Sequence, residues 1–210
     1  RVAAITGMRF LAPFKLYRDE PRTLRLEAWL SPSAGGAVAD CRLVGVRTLA
    51  GRPEPALTVH FEGRVHLDTN SAISEERAPF AAPGGSPDRV AEDIYRDYFH
   101  GPAYQVLASA WIDGRSATGL MSSSLGPNHG AAHAATLIEP RAVELCFQTA
   151  GIREMAVAGR MGLPNRVDEA RWLRAPGDGP MVARVTARDD GAFDAEVADA
   201  TGAPWLVLSG

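Results

Sequence analysis

Glu144 and Gln148 stand four residues apart in the segment PRAVELCFQ (140–148), whose other members Val143, Leu145, Cys146 and Phe147 are apolar. On a helix, residues i and i+4 share a face, so the two side chains are placed to act on one substrate atom or to bond each other. A carboxyl desolvated among such neighbours has a raised pKa and keeps its proton near neutrality, as a general acid requires. The same spacing also fits a structural pair near a helix start, with the acid favoured by the helix dipole.

A second group of chemical residues lies upstream in DYFHGPAYQ (97–105), where Gly101-Pro102 is flanked by Tyr98, His100, Tyr104 and Gln105. A tight turn of this kind can offer backbone N–H groups to a carbonyl and set an imidazole or phenol beside it. The structural alternative is an aromatic turn that plugs the edge of a sheet. His129 and His133 have a helical metal-ligand spacing, but no acidic or cysteine partner stands at a supporting distance and glycines frame the segment. His60 and His66 have even spacing within a strand-like run, so they are expected on one face as solvated or core-edge histidines. Cys41 and Cys146 lack metal spacing and fit two buried, reduced thiols. No Gly-rich phosphate loop, G-x-S-x-G or CxxC occurs.

These residues need elements to hold them. Residues 1–68 alternate in the manner of half-buried strands, most clearly in TLRLEAWLS, with turns at SPSAGG and AGRPEPA. Four antiparallel strands are expected there. The stretch 69–92 is rich in Pro, Gly, Ser and charge, and is expected to be a linker. Residues 93–210 form the second half: a short helix or turn before Gly101, a hairpin around Asp113-Gly114, and a helix from Pro140 to about Arg160. In that helix Val143, Phe147 and Ala150, with Cys146 and Ile152 close by, follow the 3–4 spacing, and further strands follow to the end of the chain. One helix among antiparallel strands implies an α+β fold whose sheet wraps that helix. The first half has strands without an equivalent helix.

Composition bounds the function. The chain has 210 residues, 46% hydrophobic and 22% charged, with a net charge of −3, so it carries no electrostatic footprint for nucleic acid. No apolar run approaches the length of a membrane span, and the N-terminus has no signal-peptide pattern, which points to the cytoplasm.

Taken together, YFHGPAYQ and, some forty residues on, EPRAVELCFQTAG resemble the dehydratase domains of polyketide synthases and of polyunsaturated fatty acid synthases. That family is a double hot dog, two sheets each wrapped around a helix, which removes water from a 3-hydroxyacyl thioester on an acyl carrier protein. Tyr98, Gly101, Pro102 and Tyr104 fall on the family's G-Y-x-Y-G-P-x-F-like loop, with Asp97 in place of its Gly and His100 in place of its second Tyr. Pro140 and Gln148 fall on its P-x-x-x-D-x-x-x-Q helix, and Glu144 takes the place of the catalytic Asp. The resemblance therefore implies Glu144 as the acid, Gln148 as its orienting or hydroxyl-binding partner, and Tyr98 or His100 as a contact to the hydroxyl. Gly101, Pro102 and Tyr104 would line the substrate. None of the five histidines fits the family's base pattern H-x-x-x-G-x-x-x-x-P, so the first half is expected to be incomplete and its helix to lie upstream, unless His100 acts as the base.

The resemblance implies no cofactor beyond the phosphopantetheine that carries the substrate. It implies an acyl carrier protein and other synthase domains as partners, a homodimer, and no nucleic acid or membrane. Two other readings stay open. One is a non-catalytic module for carrier docking or dimerisation, motivated by Glu in place of Asp; the other is a product-template-type cyclase.

Overall fold

Alternation in the first third of the sequence becomes long antiparallel strands. The computed structural model describes residues 1–16, 21–48, 51, 53–68, 75, 77–127 and 138–210. In chain order its strands are β1 (Val2–Phe10), β2 (Thr23–Ser33), β3 (Gly36–Arg47), β4 (Ala56–Asp68), β5 (Arg89–Val90), β6 (Leu107–Asp113), β7 (Ser116–Met121), β8 (Arg166–Trp172), β9 (Val182–Ala187), β10 (Phe193–Ala198) and β11 (Pro204–Ser209). Helix α1 (Ala91–Asp97) and a 3-10 turn (Pro102–Tyr104) precede β6, and helix α2 (Pro140–Ala158) precedes β8. Two units form, Arg1–Ser71 with Pro164–Arg171, and Ala72–Leu163 with Trp172–Gly210.

The first unit is a sheet in the order β2-β3-β4-β1-β8. Residues Pro164–Arg171, which composition groups with the second half, belong here because β8 pairs antiparallel with β1, Ile5 facing Ala170 and Met8 facing Val167. The burial expected for β2 is not seen: Leu24, Leu26 and Leu30 alternate as a strand face should, yet are 40%, 74% and 65% exposed. β2 is the edge strand, and among the described residues this unit has no helix to cover it. The two strand histidines also part company. The β3–β4 register shifts where Leu43 faces Phe61 and Val44 faces Val59, a bulge at His60. His60 turns toward Gly45, where a Cβ would come within 2.5 Å of its Nε2, while its Nδ1 lies 3.0 Å from the Ala12 carbonyl. His66 Nε2 instead lies 2.8 Å from Thr6 Oγ1.

The second unit is a sheet in the order β11-β10-β9-β7-β6-β5, with α2 packed on β6, β7, β9 and β10. Its turns use glycine where the backbone is left-handed: Gly114 between β6 and β7 has φ 55°, and Gly191 between β9 and β10 has φ 84°. Helix α2 starts with Pro140 in its first turn and ends at Gly159 (φ 65°), whose N–H bonds the Met155 carbonyl. Its buried side is Ala142, Leu145, Cys146, Gln148, Thr149, Gly151 and Ile152. Of the residues that carry the 3–4 spacing, Cys146 and Ile152 are buried, while Val143, Phe147 and Ala150 are only half-buried. Its apolar residues are not gathered on one face, so spacing alone cannot choose among its faces. The sheet side is packed so closely that a Cβ on Gly119 of β7 would lie 2.1 Å from Thr149 Oγ1.

The stretch expected as a linker is tied to the second unit wherever it is described; residues 69–74 and 76 lie outside the described residues. Phe80 N–H bonds the Gly202 carbonyl at 2.9 Å, Arg77 pairs with Glu196 at 2.7 Å, and the Arg184 guanidinium lies 4.3 Å over the Phe80 ring. Asp88 takes the Ile112 N–H at 2.7 Å. Polar, Pro-rich composition hides such pins because each partner is distant in sequence. Another pin is Asp199 after β10, whose side chain is wholly buried. It accepts from Arg174 (2.8 Å), the Gly177 N–H (2.7 Å), and the Thr201 N–H (3.0 Å) and hydroxyl (2.6 Å).

Candidate active site

The loop after α1 and the first turns of α2 meet at Glu144. His100 Nε2 lies 3.0 Å from Glu144 Oε1, and Gln148 Nε2 donates to the same oxygen at 3.0 Å. The two motifs, far apart in sequence, thus converge on one carboxylate oxygen. Glu144 Oε2 makes no hydrogen bond among the described residues, and the side chain keeps 22% of its exposure. Burial pushes the Glu144 carboxyl above the ordinary glutamate value, opposed by the Gln148 hydrogen bond and by His100. The carboxyl is therefore a better proton donor near neutrality than a surface glutamate.

Gln148 is the hub. Besides Glu144, its Nε2 donates to the Tyr104 carbonyl at 2.8 Å, and its Oε1 accepts from the Tyr95 hydroxyl at 2.8 Å. Both amide hydrogens and the carbonyl oxygen are thereby engaged inside the protein. This favours the orienting role over hydroxyl binding. Tyr98 is 6% exposed and its hydroxyl donates to the Gln148 backbone carbonyl at 2.9 Å, behind the site rather than into open space. Its phenol pKa is raised by burial, so it stays neutral.

His100 is held between aromatic neighbours. Phe99, itself 75% exposed, stacks on it with ring centres 4.9 Å apart, and Tyr98 lies 5.4 Å away on a tilt. Gln105 donates to the His100 carbonyl at 3.0 Å, and the Tyr104 N–H closes the turn on the Gly101 carbonyl at 2.9 Å. Gly101 and Pro102 are exposed, and a Cβ on Gly101 would meet only open space, so its backbone is approachable. His129 and His133 lie outside the described residues. Cys41 and Cys146 are free thiols, the latter buried with its pKa raised by burial.

Sequence reasoning missed Tyr95. Its place three residues before Tyr98, one helical turn away, was the available signal. It also missed Gly151, where a Cβ would lie 2.5 Å from the Tyr98 hydroxyl. Gly151→Ala is therefore expected to push Tyr98 off the Gln148 carbonyl and to cost about 1–3 kcal/mol of stability, measurable as a lowered denaturation midpoint in urea.

The chain matches the family described as polyketide synthase dehydratase N-terminal domain over residues 72–210, which holds every residue of this site. The chain belongs to the polyketide synthase dehydratase family. The fold agrees. The dehydratase domain from the CurF module of curacin polyketide synthase is similar at 15% identity, with a TM-score of 0.74 over 100% of this chain and 75% of that one. That of RzxB from Pseudomonas fluorescens is similar at 17% identity, with a TM-score of 0.70 over 98% and 73%. The erythromycin dehydratase is similar at 17% identity, with a TM-score of 0.67 over 98% and 72%. The fold of this dehydratase-family chain is thus α+β, a double hot dog, and the family works within multidomain synthases. A search of curated proteins found no match. Among the described residues no helix is long and apolar enough to cross a membrane.

Proposed function

We propose that this chain removes water from a 3-hydroxyacyl thioester held on the phosphopantetheine arm of an acyl carrier protein, leaving the 2-enoyl thioester, within a polyketide or polyunsaturated fatty acid synthase. Glu144 gives a proton to the departing 3-hydroxyl as the C3–O bond breaks. A base takes the proton from C2, and the C2–H electron pair becomes the new double bond. The observation that carries this reading is Glu144 itself: a carboxyl with a raised pKa, one oxygen held by two nitrogens and the other unbonded among the described residues.

His100 belongs with the acid. His100 Nε2 is engaged with the Glu144 carboxyl at 3.0 Å, so we place it with the acid and not with the C2 proton. We assign it to orient the acid and to contact the hydroxyl, with the exposed residues Gly101 and Pro102 and the Tyr104 turn lining the thioester arm. The base is then an imidazole other than His100. In support, CurK dehydratase variants with His replaced by Phe and with Asp replaced by Asn are described as inactive.

The acid works only while protonated. Its raised pKa carries the active form toward neutral pH, and the dehydration rate is expected to fall as pH rises through the Glu144 pKa. A single-turnover pH profile, read as loss of one water from the carrier by mass, checks the sign. The chain is assayed alone and joined to an upstream segment bearing a His in the family's base pattern. Turnover only in the joined protein supports the reading. Carrier binding without turnover in either supports the docking module, and a cyclised product supports the product-template cyclase.

A further inference from the structure

The chain of hydrogen bonds behind Glu144 has a fixed polarity, because backbone groups stand at both ends. The Leu107 N–H can only donate, and it donates to the Tyr95 hydroxyl oxygen at 2.6 Å. The single hydroxyl hydrogen of Tyr95 is then left for Gln148, which must present Oε1 to receive it at 2.8 Å. At the other end the Tyr104 carbonyl can only accept, and it takes Gln148 Nε2 at 2.8 Å. An amide turned over would set two oxygens against each other at Tyr104 and leave Tyr95 with no acceptor. The remaining amide hydrogen therefore has one destination, Glu144 Oε1 at 3.0 Å. Oxygen Oε1 accepts the Gln148 N–H in either protonation state of the carboxyl.

We propose that Tyr95 is a positioning residue that fixes the Gln148 amide, and so holds an N–H on Glu144 Oε1 and turns Oε2, the oxygen left unbonded among the described residues, away from the hydrogen-bonded network. The inference rests on the reading of Glu144 as the acid for its purpose, but its geometry is independent of turnover. The Tyr95 hydroxyl is hydrogen-bonded to Gln148 and to the Leu107 N–H and not to Glu144, so its hydrogen bonds reach the acid through Gln148. Burial raises the Tyr95 phenol pKa to about 12, so the hydroxyl keeps the hydrogen the chain requires.

The test is the titration of the Glu144 carboxyl carbon by NMR in the native chain, in Tyr95→Phe and in Thr149→Val. The titratable groups around this carboxyl are His100, Tyr95, Tyr98 and Cys146. Since His100 shares its hydrogen bond, the curve is that of the Glu144–His100 pair. Tyr95→Phe removes the donor that holds Gln148 Oε1, so the amide is held by Tyr104 alone and its hydrogen bond to Glu144 weakens, which favours the protonated acid, and the carboxyl curve is expected to rise by about one pH unit. Thr149→Val removes another buried hydroxyl from the same helix, one that bonds the Leu145 carbonyl, and is expected to leave the curve in place. An unmoved curve in Tyr95→Phe, or an equal shift in Thr149→Val, overturns the proposal. Should Tyr95→Phe not fold, the native chain decides. It has two glutamines, and both side-chain amide protons of Gln148 are expected to exchange at least about tenfold more slowly than those of Gln105, which makes one bond. Equal exchange overturns it. Absence of turnover in the protein joined to the upstream His segment would remove the dehydratase reading and leave the titration result standing.

Discussion

Glu144→Gln is expected to lower the dehydration rate by about 10²–10⁴-fold, the range general acid catalysis contributes, while carrier-protein binding is retained. The substitution keeps shape, and the new carbonyl oxygen can still accept from Gln148 Nε2, so the network of Tyr95, Gln148 and Tyr104 persists. What disappears is the proton. Stability is expected to hold or rise slightly, because a buried charge has been removed. Glu144→Asp asks a different question. It shortens the side chain by about 1.5 Å, so the carboxyl can no longer meet both His100 Nε2 and Gln148 Nε2, each now at 3.0 Å. An intermediate loss is expected, since the proton remains and its placement does not. Single-turnover rates on a carrier-bound thioester separate the three. A Glu144→Gln protein within a few-fold of the native rate would remove Glu144 from the mechanism.

The largest effect on stability is expected at Asp199. Asp199→Ala strips the acceptor from the Arg174 guanidinium, from the Thr201 hydroxyl and from two backbone N–H groups at Gly177 and Thr201. The Arg174 side chain is partly exposed, but removing the buried carboxylate also leaves two backbone N–H groups unpaired, and the loss together is about 3 kcal/mol, which for a domain of this size lowers the melting temperature by about 10 °C. These same donors hold the Asp199 carboxyl well below the usual carboxylate range, Arg174 most of all. A depressed folded-state pKa stabilises the fold above the unfolded value and loses that contribution as pH falls through the folded one. The native and Asp199→Ala melting temperatures are therefore expected to differ most near neutrality and to converge in strong acid. Melting curves across pH measure this directly, and a constant gap would contradict it.

The sequence carried the elements better than their burial. Helix α2 was readable from Pro140 and its apolar run, and the β6–β7 hairpin from Asp113-Gly114, because those signals are local. Glu144 and Gln148 stood out for the same reason. Tyr95 did not, since its importance lies in bonds to Leu107 and Gln148, the latter 53 residues away. Likewise Pro164–Arg171 carries an ordinary strand pattern that names no partner, and only pairing with β1 reveals its unit. Exposure of Leu26 on an alternating strand shows the limit most plainly: a period of two says which side chains share a face, not whether anything covers it.

The two-residue strand β5 has a bearing on how synthases are recombined. It is the last strand of its sheet, and its pairs Arg89–Ala110 and Val90–Ser109 stand between the polar backbone edge of β6 and other chains. Composition invites a splice anywhere in 69–92. A junction placed after Val90 would discard β5, cut Arg77 from Glu196 and Phe80 from Gly202, and bare a strand edge of the kind that recruits other strands. Hybrid enzymes joined upstream of Arg77 keep the guard in place; those joined at Ala91 trade it for aggregation.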